Sequence, residues 1–229
     1  MVKDMDLINK LKIKDNKLTI VEKKFLDFYL NKEKYPFKNN EFKFMIVKCN
    51  IDKDLIRNIF AGLLKDLMIY KCDNYFLFIY QNKEKINIEN YIESLSEDIG
   101  QMIGIFEGFN INKNMMNEFI KFIAIFEKYY QDIHFTYLSI SDLIIKASNN
   151  RDEIKFIKKL LFNNFNQDIQ MQRLIEAIFK NNLNISKTAK EIYMHRNTVN
   201  NKIMHFENKT SLSIQKFKDD IAIYELLKE

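Results

Sequence analysis

Asn184-Ile185-Ser186-Lys187-Thr188-Ala189-Lys190-Glu191-Ile192-Tyr193-Met194-His195-Arg196-Asn197-Thr198-Val199-Asn200-Asn201-Lys202-Ile203-Met204-His205-Phe206 carries two helical periods with an interruption between them. Ser186 reads as the cap of a first short helix, and Ala189 falls where only a small side chain lets two helices approach. Ile192 closes that helix's apolar face, and Met194 plugs the turn. Val199, Ile203 and Phe206 then recur at four and three residues, the buried stripe of a second helix. A short helix, a turn of about three residues and a helix that opens on polar residues make a helix-turn-helix. The outer face of the second helix carries Arg196, Asn197, Asn200, Asn201 and Met204, with Lys202 toward its flank. Asn and Arg are the side chains that read adenine and guanine edges. Thr198 stands in the first turn, within reach of a phosphate, and His195 is placed to cap the helix. Ser186, Lys187 and Thr188 complete the candidate DNA contacts. The pattern by itself also fits a helical hairpin whose Asn-rich face is merely solvated.

Charge supports the DNA reading. The chain has 229 residues and a net charge of +5, which alone says little about partners. Between 180 and 209, however, six Lys/Arg stand against two Asp/Glu, a local excess suited to phosphate.

Working toward the N-terminus, the pattern changes. Residues 40–148 alternate between strand and helix. Strands are predicted at 42–47, 68–71, 75–80, 102–106 and 134–138, and helices at 52–67, 88–99, 115–130 and 141–147. The third strand follows the second across a Cys72-Asp73-Asn74 turn. The order β-α-β-β-α-β is the split βαβ, ferredoxin-like arrangement, with helices on one face of an antiparallel sheet. The first 35 residues read as helical, with Thr19 and Glu22 a capping box. The one proline, Pro36, marks a boundary. Four segments follow: 1–36, an N-terminal helical segment; 40–148, an α+β domain; 149–170, a connecting helix; and 171–229, the all-α DNA-binding domain.

Several function classes drop out. Four glycines include neither a P-loop nor a GxGxxG turn. Cys49 and Cys72 cannot make a four-ligand zinc site and read as reduced thiols of a cytoplasmic protein. His134, His195 and His205 have no partner at ligand spacing. No apolar run reaches the ~18 residues of a spanning helix, and no signal peptide opens the chain. No enzyme, cofactor or membrane partner is expected.

The run Asn184-Ile185-Ser186-Lys187-Thr188-Ala189, followed by Tyr193-Met194-His195-Arg196-Asn197-Thr198-Val199, then Phe206-Glu207 and Thr210-Ser211-Leu212, resembles the C-terminal helix-turn-helix of the PucR/CdaR family of bacterial transcription regulators. Leu212 to Leu227 matches the family's last helix. The resemblance implies a sequence-specific regulator that binds double-stranded DNA, probes a palindromic site as a dimer, and carries a degenerate cyclase-like, GGDEF-like domain over 40–148. Where active cyclases of that fold place Gly-Gly-Asp/Glu-Glu-Phe, this chain has Lys71-Cys72-Asp73-Asn74-Tyr75, with one carboxylate and no glycine, so no cyclic-dinucleotide chemistry is expected. It departs at Asn200-Asn201-Lys202-Ile203, where the family commonly has Arg-Tyr-Arg-Leu. Two cation-or-aromatic positions have become Asn, which is expected to weaken phosphate affinity or change the base preference. Only about 35 residues stand where the family has a long sensory segment. A regulator acting through protein contacts alone is the other reading. The residues name no small-molecule effector.

Overall fold

The computed structural model describes residues 11, 13–14, 17–29, 33–81, 88–163 and 169–228. The chain is mixed α+β and divides into two compact units, Met1–Leu138 and Ser139–Glu229.

The first unit is built on an antiparallel sheet. Helix α1 (Ile20–Tyr29) precedes β1 (Glu41–Lys48), α2 (Lys53–Ala61), the hairpin β2 (Lys65–Lys71) and β3 (Phe76–Gln81), α3 (Ile88–Ile99), β4 (Gly104–Asn112), α4 (Met116–Tyr130) and the short β5 (Tyr137–Ser139). The strand order is β2-β3-β1-β4-β5. β1 lies at the centre, antiparallel to both β3 and β4.

Helices cover both faces of this sheet, not the one face that the element order suggested. Met45 and Val47 of β1 join Ile56 and Phe60 of α2 and Ile88 and Ile92 of α3 in one core. The alternate residues Phe42 and Phe44 point the other way, because successive strand side chains take opposite faces. There Phe44 meets Phe119 and Phe122 of α4 at centroid distances of 4.9 and 5.6 Å, and Phe42 meets Phe25 of α1 at 5.5 Å. Two covered faces explain why all six residues of β3 are buried. Cys72, in the hairpin turn, is buried as well, and burial first of all pushes its thiol up to about 12, which suits an inert cysteine.

Several predicted elements change extent, among them the strand placed at 102–106, which runs Gly104–Asn112. The helix placed at 52–67 stops at Ala61. Gly62 follows it, Leu63 and Leu64 both bond back to the Phe60 carbonyl, and the chain enters β2 at Lys65, where Asp66 (φ 51°) marks a register irregularity. The strand placed at 134–138 shrinks to Tyr137–Ser139, leaving His134 exposed before it. In the first 35 residues helix is found at Ile20–Tyr29, and much of the rest of that segment lies outside the described residues.

The Thr19–Glu22 capping box forms, with Thr19 N–H donating to Glu22 Oε2 at 2.8 Å and Glu22 N–H to Thr19 Oγ1 at 3.3 Å. Glu22 does more than cap. It is fully buried, and its Oε1 accepts from the Ile69 N–H at 2.8 Å and from Arg57 Nη2 at 2.5 Å. Lys53 stands 3.3 Å from Oε2, and Tyr70 donates its hydroxyl to the Glu22 carbonyl at 2.9 Å. One carboxylate thus ties α1 to α2 and β2.

The second unit is helical: α5 (Ile140–Ala147), α6 (Arg151–Asn163), α7 (Ile169–Lys180), α8 (Ile185–Glu191), α9 (Arg196–Thr210) and α10 (Phe217–Leu227). It begins ten residues before the boundary read from sequence. The reason is local. Ser139 and Asp142 form a capping box at the start of α5, and buried Ser141 donates its hydroxyl to Asp219 Oδ1 of α10. Asp219 Oδ2 also accepts from the Ser213 N–H at 2.9 Å, and Lys218 pairs with Asp142 at 2.9 Å. Helix α5 therefore belongs with α10. Phe162 of α6 packs on Phe206 of α9 at 5.9 Å. No helix among the described residues is long and apolar enough to cross a membrane.

Candidate nucleic-acid interface

The path into the interface starts where α7 ends. Asn182 and Leu183 both have positive φ, 52° and 63°, which turns the chain sharply and leaves Leu183 38% exposed. Asn184 then caps α8: its side chain accepts from the Lys187 N–H at 3.0 Å. The cap is thus two residues earlier than Ser186, which lies inside the helix, exposed beside exposed Lys187. Asn is as good a cap as Ser. Buried Asn181 donates to Glu191 Oε2 at 2.5 Å, and Lys180 pairs with Oε1 at 2.7 Å. The C-terminal end of α8 is thereby fixed to the end of α7. The Lys180 contact, with Asn181, holds the Glu191 carboxyl below the usual range.

Thr188 leaves the set of DNA contacts. It is fully buried, and its hydroxyl donates back to the Asn184 carbonyl at 2.9 Å. The helix period places it beside Ala189 on the inner face.

The turn runs through Ile192, Tyr193 and Met194, with Met194 N–H bonded to the Ala189 carbonyl at 2.9 Å. Tyr193 takes φ 54° and is 97% exposed. His195 caps α9, its Nδ1 accepting from the Asn197 N–H at 3.2 Å. Val199, Ile203, Phe206 and Thr210 form the buried side of α9. Opposite them, at i, i+4, i+7 and i+11, run Asn197, Asn201, Met204 and Asn208, all exposed. Arg196, exposed, and Asn200, half-buried, flank this stripe on one side. Thr198, Lys202, His205 and Lys209 follow the other edge at the same spacing. Arg196 and Lys202 therefore sit on opposite flanks.

On the Arg196 side the surface is concave. A groove of about 840 Å³ runs along α9, walled by Leu183 and Ile185 before it in the chain and by Ile214 and Gln215 after it. Glu207 sets the second wall: its Oε1 accepts from Ser213 Oγ at 2.9 Å and from the Ile214 N–H at 3.3 Å. The C-terminal end of α9 is turned by Ser211 at φ 59°. Asn208, Tyr193, Leu183 and Gln215 were not among the residues read from sequence. Only Asn208 had a signal there, as the i+11 continuation of Asn197.

Residues 172–228, covering nearly all of α7 and the whole of α8 to α10, match the PucR C-terminal helix-turn-helix domain. The segment is similar to a PucR-type helix-turn-helix domain. A chain that carries this module is a DNA-binding transcriptional regulator. The crystal structure of the regulator of polyketide synthase expression from Bifidobacterium adolescentis is similar over 98% of this chain and 89% of that one, at 12% identity and a TM-score of 0.42. No curated protein matches the chain. Among the described residues no group of three or more His, Cys, Asp or Glu is placed to hold a metal.

Proposed function

We propose that this chain is a cytoplasmic, sequence-specific transcription regulator that inserts α9 of its PucR-type domain into the DNA major groove and acts as a homodimer. The observation that carries the reading is the division of α9 into three stripes: apolar residues buried, Asn197, Asn201 and Met204 outward, and Thr198, Lys202, His205 and Lys209 along one edge. Polar amides suit base edges, and the cationic edge suits the phosphate strand beside them. Ser186 and Lys187, exposed on α8, meet the backbone on that helix's side. The first unit is read as a ferredoxin-like, degenerate cyclase-like domain without catalytic activity. Its strand order and the pair α2 and α3 on one face support that reading.

The edges and the outward stripe separate in titration. Lys202→Ala is expected to weaken binding to all duplexes alike and to lower the salt slope by about one. Asn197→Ala is expected to cost about 1–3 kcal/mol on the operator alone. Anisotropy titrations across a salt series measure both. Unchanged affinity for every sequence in both folded variants would leave a regulator that works through protein contacts.

Dimerisation is assigned to α10. Phe217, Ile221 and Tyr224 recur on its outward side, 81%, 37% and 53% exposed. Lys218 and Glu225 flank the same edge of that stripe and pair within the chain, with Asp142 and Lys228. The apolar stripe of an antiparallel copy is complementary to it. Ile221→Asp is expected to convert the dimer to a monomer in light scattering at tens of micromolar. A wild-type chain that is already monomeric there, with and without operator, would contradict the assignment.

A further inference from the structure

We infer that the operator half-site is a run of A·T pairs closed by one G·C pair at the Arg196 end, and that Met204 and Leu183 read its thymine methyl groups. The inference rests on the DNA-binding reading above and names what the α9 face recognises.

The donor and acceptor inventory of that face is narrow. Four of its side chains, Asn197, Asn200, Asn201 and Asn208, are amides, which pair in bidentate fashion with adenine N6 and N7. Arg196 is the single cation among the described residues that line the groove, and it stands at the first position of α9. Guanine O6 and N7 call for Arg or Lys, so the face can satisfy one guanine, at its N-terminal end. Cytosine N4 calls for a carboxylate acceptor. The one carboxylate in the groove is Glu207, and its Oε1 already accepts from Ser213 and from the Ile214 N–H.

The apolar atoms point the same way. Met204 is 51% exposed in the middle of the amide stripe, and the positive-φ turn at Asn182–Leu183 presents Leu183 on the groove wall. An exposed apolar side chain between base-reading amides has one apolar group to meet in the major groove, the thymine C5-methyl. Amide to adenine and methyl to thymine are satisfied by the same base pair. The polar and apolar halves of the face therefore ask for one sequence class.

Selection of bound duplexes from a random library by the full chain is the first test, with an A·T core and a single flanking G·C pair expected. Anisotropy titrations then compare the selected duplex with one in which deoxyuridine replaces thymidine, which removes only the methyl groups. Wild type is expected to lose about fourfold per contacted methyl, Met204→Ala about fourfold less than wild type, and the Leu183→Ala/Met204→Ala double variant less than twofold. Asn201→Ala is expected to lose about tenfold of its preference for A·T over G·C at one position. A G·C-rich selected core overturns the inference while leaving the DNA reading intact. So does an identical uracil effect in wild type and Met204→Ala. Absence of any salt-sensitive duplex binding overturns both.

Discussion

Glu22→Ala is expected to lower the stability of the first unit by about 3 kcal/mol, within the range for breaking a buried charge pair. The carboxylate accepts from Arg57, from the Ile69 N–H and from the Thr19 N–H, with Lys53 at 3.3 Å. Truncation strands two cations, leaves a strand N–H unpaired and removes the Thr19 N–H's acceptor in the capping box, so several penalties fall on one residue. Glu22→Gln, which keeps volume and an acceptor oxygen, is expected to lose less. The same site gives the unit an acid limit. Burial alone would raise the Glu22 carboxyl, but Arg57, the two backbone N–H groups and Lys53 outweigh it and hold it below its ordinary value. A group depressed in the folded state stabilises fully above the ordinary carboxylate pKa of about 4.3, and that contribution disappears as pH falls through the lower folded value. Urea unfolding followed between pH 7 and 3 should therefore show a loss in wild type that Glu22→Gln does not share. Parallel pH profiles for the two proteins would refute it.

Gly108→Ala is expected to cost about 2–3 kcal/mol for the opposite reason, too much matter rather than too little. A Cβ at Gly108 of β4 would lie 2.6 Å from Cε1 and Cζ of Phe44. That ring has no room to retreat. It is fully buried, with Phe106, Phe109, Phe119 and Phe122 at centroid distances of 6.3, 5.4, 4.9 and 5.6 Å. The close approach accompanies the register shift between Lys43 and Met45, where β1 and β4 fall out of step. The Phe44→Leu change should recover part of the loss when combined with Gly108→Ala, giving a coupling energy in a double-mutant cycle. Strict additivity of the two changes would show that the clash is relieved elsewhere.

These two residues show where the sequence could and could not be read. Thr19 and Glu22 were legible as a capping box because caps follow local spacing. Nothing local says that the Glu22 carboxylate also receives Arg57 and the Ile69 N–H, which lie 35 and 47 residues away. The strands of the first unit were legible from apolar runs, and so was their order along the chain. The second covered face was not, because a run buried on both sides has no alternation to reveal it. Within the interface, the stripe Val199, Ile203 and Phe206 fixed the orientation of α9, and Arg196, Asn197 and Asn201 fell outward as read. Thr188 failed because α8 is only seven residues long, too short for its apolar period to say which side is inner. The groove escaped notice altogether. Its walls come from turns at 182–183 and 211–216, whose shape depends on positive φ at non-glycine residues that carry no sequence signature.

The bond from Ser141 to Asp219 bears on how such regulators can be cut and recombined. The recognisable module opens at residue 172, and a domain exchange would naturally be spliced there. The compact unit opens at Ser139. A chimera joined at 172 would leave Asp219, 6% exposed, without its hydroxyl donor, and α10 without the helix it leans on. Splicing at 139 transfers the donor with its acceptor. The transplantable unit is larger than the recognisable one, and the surplus is the length of chain that keeps a single buried carboxylate in company.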